Sequence, residues 1–216
     1  MVSEAVSPRP VVVIHGALRS RAGLWPIVRF LRKSGFDAQA FGYATRAESL
    51  EMHGERLERF LAGWLKGQVP VLGILTHSMG GLVARAYLAR AGAAGQSLAQ
   101  RLVMLAPPNQ GAVLAERMRG FRPFRWLYGA AADELQPTRV ARLPTPPPST
   151  QVLVLAGGRH GSEVGYSSRI PGNNDGLVGV AETALPGVDP EFVGGVHSTL
   201  QWRPAVLRRA AVFLGG

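Results

Sequence analysis

Thr76-His77-Ser78-Met79-Gly80-Gly81 sits between an apolar run, Val69 to Thr76, and a helical pattern, Gly80 to Ala91. A strand that turns sharply into a helix through a serine is the setting of a nucleophile elbow. The incoming strand and outgoing helix nearly touch there, so small residues are needed two positions either side of the serine. Gly80 supplies one. Thr76 stands where the G-x-S-x-G pattern has its first glycine, a departure, though threonine is still small. The turn aims the Met79 amide and the positive end of the helix at a reacting carbonyl, where negative charge develops. The competing reading is a plain Ser-Gly turn, and the flanking strand and helix weigh against it.

A serine hydroxyl needs a base. Of five histidines, His15 ends the first strand, His77 points away from Ser78 by strand alternation, His53 lies in a polar helix and His160 in a Gly-rich loop. His197 follows the last strand, in Gly194-Gly195-Val196-His197-Ser198, and completes a Ser…Asp…His chain order. An imidazole base is oriented by a buried carboxylate. Asp175 in Asn173-Asn174-Asp175-Gly176-Leu177-Val178 comes after the fifth strand and before His197. Asp37 and Asp189 fit the order worse, and Glu163 and Glu182 are the alternatives. A second oxyanion donor is expected from the loop after the first strand, His15-Gly16-Ala17-Leu18. Gly16 permits close approach, the amide of Ala17 or Leu18 donates, and His15 is structural.

Working outward, apolar β-branched runs alternate with helical patterns, which predicts a mostly parallel sheet flanked by helices. The strands are Val11–Ile14, Ala38–Phe41, Val69–Thr76, Leu102–Ala106, Val152–Ala156 and Glu191–Gly195. Helices are expected over Arg21–Lys33, Glu48–Lys66 (stopped by Gly67), Gly80–Ala91 and Gln201–Leu214. The 216 residues fit one domain. Between Pro107 and Thr150 the pattern breaks into short helical pieces with an aromatic cluster, Phe121, Phe124, Trp126 and Tyr128. This insertion, 107–150, is either a lid-like wall of a binding site or a seal over one end of the core.

Cysteine is absent, which removes disulfides, thiolate nucleophiles and Cys-based metal sites. Hydrophobic residues make up 46% and charged ones 18%, the balance of a globular chain. No apolar run has signal-peptide or membrane-span length, so a cytoplasmic protein without membrane insertion is expected. The formal charge is +10, nearly all from arginine, since Lys33 and Lys66 are the only lysines. The arginines are dispersed, with no basic stripe or reader motif, which argues against nucleic acid and for a solvated basic surface.

Together these segments resemble the bacterial lipase/esterase branch of the α/β-hydrolases. The resemblance runs through Val-Ile-His15-Gly16, the elbow with Leu82-Val83-Ala84-Arg85, Ala106-Pro107-Pro108-Asn109-Gln110-Gly111, Asn174-Asp175-Gly176-Leu177-Val178 and His197-Ser198. It implies a compact α/β-hydrolase fold and cleavage of small-molecule or lipid esters through an acyl-serine, with no cofactor or metal. In that scheme Ser78 attacks, His197 carries the proton, Asp175 holds the imidazolium, and Met79 with Ala17 or Leu18 binds the oxyanion. The same triad serves thioesterases and acyltransferases, and a binding protein on a hydrolase scaffold is the non-enzymatic alternative.

Overall fold

The computed structural model describes residues 8–66, 72–94 and 99–216. Six strands form one sheet in the order β2-β1-β3-β4-β5-β6, with every neighbouring pair parallel. They are β1 (Pro10–Ile14), β2 (Asp37–Phe41), β3 (Leu72–His77), β4 (Ala99–Leu105), β5 (Gln151–Ala156) and β6 (Glu191–Phe192). Val69 to Val71, part of the expected third strand, and Gly67, the expected stop of the second helix, lie outside the described residues, as does the segment before Pro8.

Both faces of the sheet are covered, and strand alternation divides the core in two. Val12, Ile14, Ile74, Leu102, Met104 and Val154 pack with α2 (Leu50–Leu65) and α3 (Gly80–Ala93). Val11, Val13, Leu75, Val103, Leu105 and Leu155 pack with α1 (Trp25–Lys33) and α9 (Pro204–Gly215). Residues one apart in a strand thus serve opposite layers, which is why these strands carry no polar alternation. The chain leaving β1 runs to β2 on one side, and the chain leaving β3 runs to β4 on the other. A crevice opens at the carboxyl ends of strands where the order reverses in this way. Ile14 pairs with Thr76 across it, which sets the loop after β1 directly against the elbow after β3.

Several elements differ from the sequence expectation, each for a local reason. The first helix begins as a 3-10 turn, Arg21–Leu24, before α1. The sixth strand stops at Phe192, because Gly194 (φ 64°) and Gly195 (φ 102°) take the chain out of extended conformation. The closing helix, α9, starts at Pro204 rather than Gln201, because Pro204 opens it and holds Arg203 extended; a separate short helix, α8 (His197–Leu200), forms where a loop is expected. His53 does not face solvent from a polar helix: it is fully buried on α2. Helix α3 is buried nearly all round rather than along one stripe.

That burial has a cause in the segment between β4 and β5. It folds as α4 (Val113–Arg117), α5 (Arg122–Tyr128), α6 (Ala131–Glu134) and α7 (Pro137–Val140), and packs over α3. Arg85 of α3 is buried beneath it and donates to the carbonyls of Asn109 (3.0 Å), Leu143 (2.7 Å) and Pro144 (3.2 Å). One guanidinium therefore ties down both ends of the insertion, and burial lowers its pKa to about 10. Among the described residues no helix is long and apolar enough to cross a membrane.

The crossing of α3 over β1 depends on Gly80. A methyl group there would stand 2.7 Å from the His15 carbonyl oxygen and 2.8 Å from that of Ile14, both backbone atoms that cannot move aside. Gly80→Ala is expected to cost about 1–3 kcal/mol, read as a lower urea midpoint at unchanged m-value.

Buried histidines make stability pH-dependent. His53 has Tyr43 edge-on at 4.5 Å and Glu48 at 3.5 Å, and burial lowers its pKa to about 4. Burial lowers His15 and His77 in the same direction. The unfolded chain takes up these protons near pH 6.5 and the folded chain does not. Stability is therefore fully present above about pH 6.5 and falls as pH drops toward 4. His53 should contribute about 2 kcal/mol of that loss, so His53→Gln should flatten the decline in ΔG between pH 7 and 4.5 measured by urea denaturation.

Candidate active site

Ser78 has φ 53°, left-handed backbone that a non-glycine residue adopts only when its surroundings enforce it. Here the enforcement is visible on both sides. The Ser78 amide donates to Leu105 O (2.8 Å), extending the β3–β4 ladder past the strand's end, and the Gly81 amide donates to Ser78 O (2.9 Å), starting α3. Thr76 accommodates the crowding that the pattern's first glycine usually relieves: its hydroxyl turns aside to donate to Val103 O (3.3 Å). A methyl group on Gly81 would lie 3.4 Å from the Thr76 hydroxyl oxygen and 2.6 Å from Met104 Cε, so the residue after Gly80 is held to glycine as well.

Gly16 lies against the elbow. A Cβ at this position would fall 2.9 Å from Ser78 Cβ, so only glycine lets the loop after β1 approach this closely. His15 is held by its neighbours: Nδ1 lies 2.9 Å from Gly16 O, the Tyr43 amide reaches Nε2 at 3.3 Å, and the ring stacks on Tyr43 at 4.4 Å. A carbonyl only accepts, so Nδ1 carries the proton and the ring is neutral, as burial also favours. The Leu18 amide donates to Thr45 Oγ1 (3.2 Å). Among the described residues no protein acceptor takes the amide of Ala17 or of Met79.

Asp175 and His197 meet across 22 residues of chain. His197 Nδ1 is 2.7 Å from Asp175 Oδ2. The other carboxylate oxygen accepts the amides of Leu177 (3.0 Å) and Val178 (2.8 Å), and the His197 amide donates to Asp175 O (3.0 Å). Both side chains are buried. Because the carboxylate holds Nδ1–H, the lone pair of the neutral ring sits on Nε2. His197 and Ser78 line one cavity, together with Gly16, Ala17 and Arg19.

His77 is not turned away from this cavity, as alternation along β3 predicts; it lines the cavity too. Its Nε2 lies 3.0 Å from His197 O, and the two rings are 4.8 Å apart. Alternation holds to the end of β3, where His77 pairs with Leu105 and shares the face of Leu75; what it does not foresee is that the loop carrying His197 comes to that face. Burial, then the neighbouring His197, hold the His77 pKa well below the usual imidazole range. A neutral His77 therefore donates from Nε2 and props the loop that carries His197.

The loop bearing Asp175 is knotted by side chains that read as ordinary turn residues. Asn173 bonds the amide and carbonyl of Arg159 (both 2.9 Å). Asn174, fully buried, accepts from the Ser167 and Gly176 amides and donates to Ser167 O (3.0 Å). Their signal is the run Asn173-Asn174-Asp175-Gly176, in which amide side chains substitute for backbone partners in an irregular loop. Glu182, an alternative acid from sequence, is a strut instead. It accepts from the Gly179 and Val113 amides, both at 2.7 Å, so it joins the acid loop to α4. Burial and the nearby Asp175 raise its pKa. Glu163, the other alternative, is exposed.

Most of the rest of the cavity wall is apolar. Phe124 and Tyr128, four residues apart on α5 and stacked at 4.4 Å, line it with Leu135, Leu177 and Val178. Phe121 and Trp126 are not brought to it. They are 53% and 76% exposed: Phe121 caps α5 in extended backbone ahead of the helix, and Trp126 falls on the side opposite 124/128. Arg46 covers Trp126 at 5.8 Å.

A family model described as alpha/beta hydrolase fold matches residues 9–143. Among solved structures, the mature lipase BlEst2 of Bacillus licheniformis superposes with a TM-score of 0.75 at 19% identity, over 91% of this chain and 87% of that one. A metagenomic carboxyl esterase matches with a TM-score of 0.70 at 16% identity, over 97% and 75%. An esterase of Pyrococcus furiosus matches with 0.61 at 21% identity, over 97% and 83%. At these identities the likeness is one of fold. Among curated protein sequences none matches the chain.

Proposed function

The chain belongs to the alpha/beta hydrolase fold family, and from that premise we propose that it hydrolyses carboxylic esters through Ser78, His197 and Asp175. The observation that carries this reading is the 2.7 Å contact of Asp175 with His197, which lines the same cavity as Ser78, held at φ 53°.

In this mechanism an ester seats its acyl chain along Phe124, Tyr128, Leu135 and Val178. His197 Nε2 takes the Ser78 proton as Oγ attacks the carbonyl carbon. Asp175, hydrogen-bonded by two amides, stabilises the imidazolium. The amides of Met79 and Ala17 receive the oxyanion; Leu18, whose N–H is committed to Thr45, is the poorer second donor. His197 then returns the proton to the departing alcohol, and water cleaves the acyl-serine by the same relay. Fixed amides and a fixed imidazole cost no reorganisation during the reaction, which is where most of the rate enhancement arises. The insertion, 107–150, supplies one wall of the acyl site through α5.

The test is a series of p-nitrophenyl esters from acetate to palmitate, assayed with the wild type and with Ser78→Ala. Activity that survives in Ser78→Ala would remove the assignment. Loss of activity confined to the longer esters of the series would locate the end of the acyl site.

A further inference from the structure

Arg19 is the one arginine among the residues lining the active-site cavity, and the same side chain also lines two neighbouring hollows. One of these is walled by Ser20, Arg21, Tyr43 and Arg56, the other by Leu18, Thr45 and Arg46. Among the described residues no acidic side chain lines either hollow. Arg56 is committed to Glu48 (2.6 Å) and Arg46 to the Trp126 carbonyl (2.7 Å). Arg19 and Arg21 are not: among the described residues no carboxylate lies within ion-pair distance of either.

Arg19 is also preoriented. Its guanidinium lies over the Trp202 ring, 5.4 Å from the centroid, and Trp202 Nε1 donates to Gly23 O (3.4 Å). A guanidinium paired with no carboxylate keeps its N–H groups for a ligand, and its fork matches the oxygens of a phosphate two at a time. Arg21 is held close by as well. Gly42 faces its stem so tightly that a Cβ there would be 3.0 Å from Arg21 Cβ.

The cavity that holds Ser78 thus has an apolar wall on α5 and, at Arg19, a cationic side shared with the hollow that Arg21 lines. We propose that Arg19 and Arg21 form a subsite for a phosphate group on the non-acyl side of the substrate, so that the natural esters carry a phosphate-bearing leaving portion. The inference rests on the hydrolase reading above and specifies its substrate class. In the reaction the acyl carbon passes from the substrate's oxygen or sulfur to Ser78 Oγ. The proton from His197 goes to the departing alcohol or thiol, whose phosphate stays paired with the arginines until release.

The phosphate could belong to a phospholipid headgroup or to a pantetheine-type thiol carrier, and the assay separates them. Rates are measured on monomeric dihexanoyl phosphatidylglycerol, butyryl-coenzyme A and neutral p-nitrophenyl butyrate, using the wild type and an Arg19→Gln/Arg21→Gln double variant. For one of the two phosphate substrates, kcat/KM relative to the neutral ester should fall about tenfold or more in the double variant. That substrate identifies the source. The effect should shrink with added salt, since both guanidinium groups are exposed. Ratios unchanged for both substrates would overturn the proposal, as would cleavage of the neutral ester alone. Binding of the two phosphate substrates to Ser78→Ala, with and without the arginine substitutions, is read by titration calorimetry. If the wild type cleaves no ester, the hydrolase reading fails, while arginine-dependent binding still upholds the anion subsite. Binding indifferent to the arginines removes the subsite by itself.

Discussion

Ser78→Ala should lower kcat/KM on p-nitrophenyl butyrate by about 10,000-fold or more, leaving only what the oxyanion donors and substrate binding supply. The substitution removes one oxygen from a half-buried position. Alanine is no worse than serine at φ 53°, so the fold should tolerate it. Unfolding midpoints within about 0.5 kcal/mol of wild type would separate lost chemistry from lost structure. The same protein should fail to form the covalent adduct that a phosphonate ester forms with the wild type, and mass mapping should place the wild-type adduct on Ser78. Adducts elsewhere, or a rate within tenfold of wild type, would contradict the assignment.

Asp175→Asn should cost about 1,000- to 10,000-fold in kcat through a tautomer change, not through lost packing. In the wild type one carboxylate oxygen accepts the amides of Leu177 and Val178 while the other holds His197 Nδ1–H. An asparagine must satisfy the two amides with its single oxygen, which turns its NH2 toward His197 Nδ1. The ring then accepts at Nδ1 and carries its proton on Nε2, the nitrogen that must take the proton from Ser78. KM should change little, because the side chain touches no substrate. Stability should fall only modestly, because size and most hydrogen bonds are kept. Activity close to wild type in this variant would mean that another carboxylate orients the base. Glu182, fastened to two amides of its own, is the nearest alternative.

Much of the fold was legible because its signals are local. A strand covered on both faces shows as an unbroken apolar run, and β1, β4 and β5 appear where such runs occur. Boundaries were read less well where a single residue redirects the chain. Pro204 sets the start of the last helix, and Gly194 and Gly195 end β6 after two residues. The surroundings of His53 and His77 are not legible for another reason. Pattern along one element says nothing of what packs against it, and Tyr43 and the His197 loop come from elsewhere in the chain.

What the sequence determined by itself is the turn at Ser78 and the order in which serine, acid and histidine follow their strands. A left-handed residue between a strand and a glycine-rich helix start is a short-range matter, set by sterics over six residues. Tertiary structure alone decided which carboxylate meets His197, which aromatics of the insertion face the cavity, and that Thr45 occupies the Leu18 amide. Each is a meeting of loops far apart in sequence, brought together at the carboxyl edge of a parallel sheet. Their contacts depend on the path of the whole chain, a property that no window of residues contains.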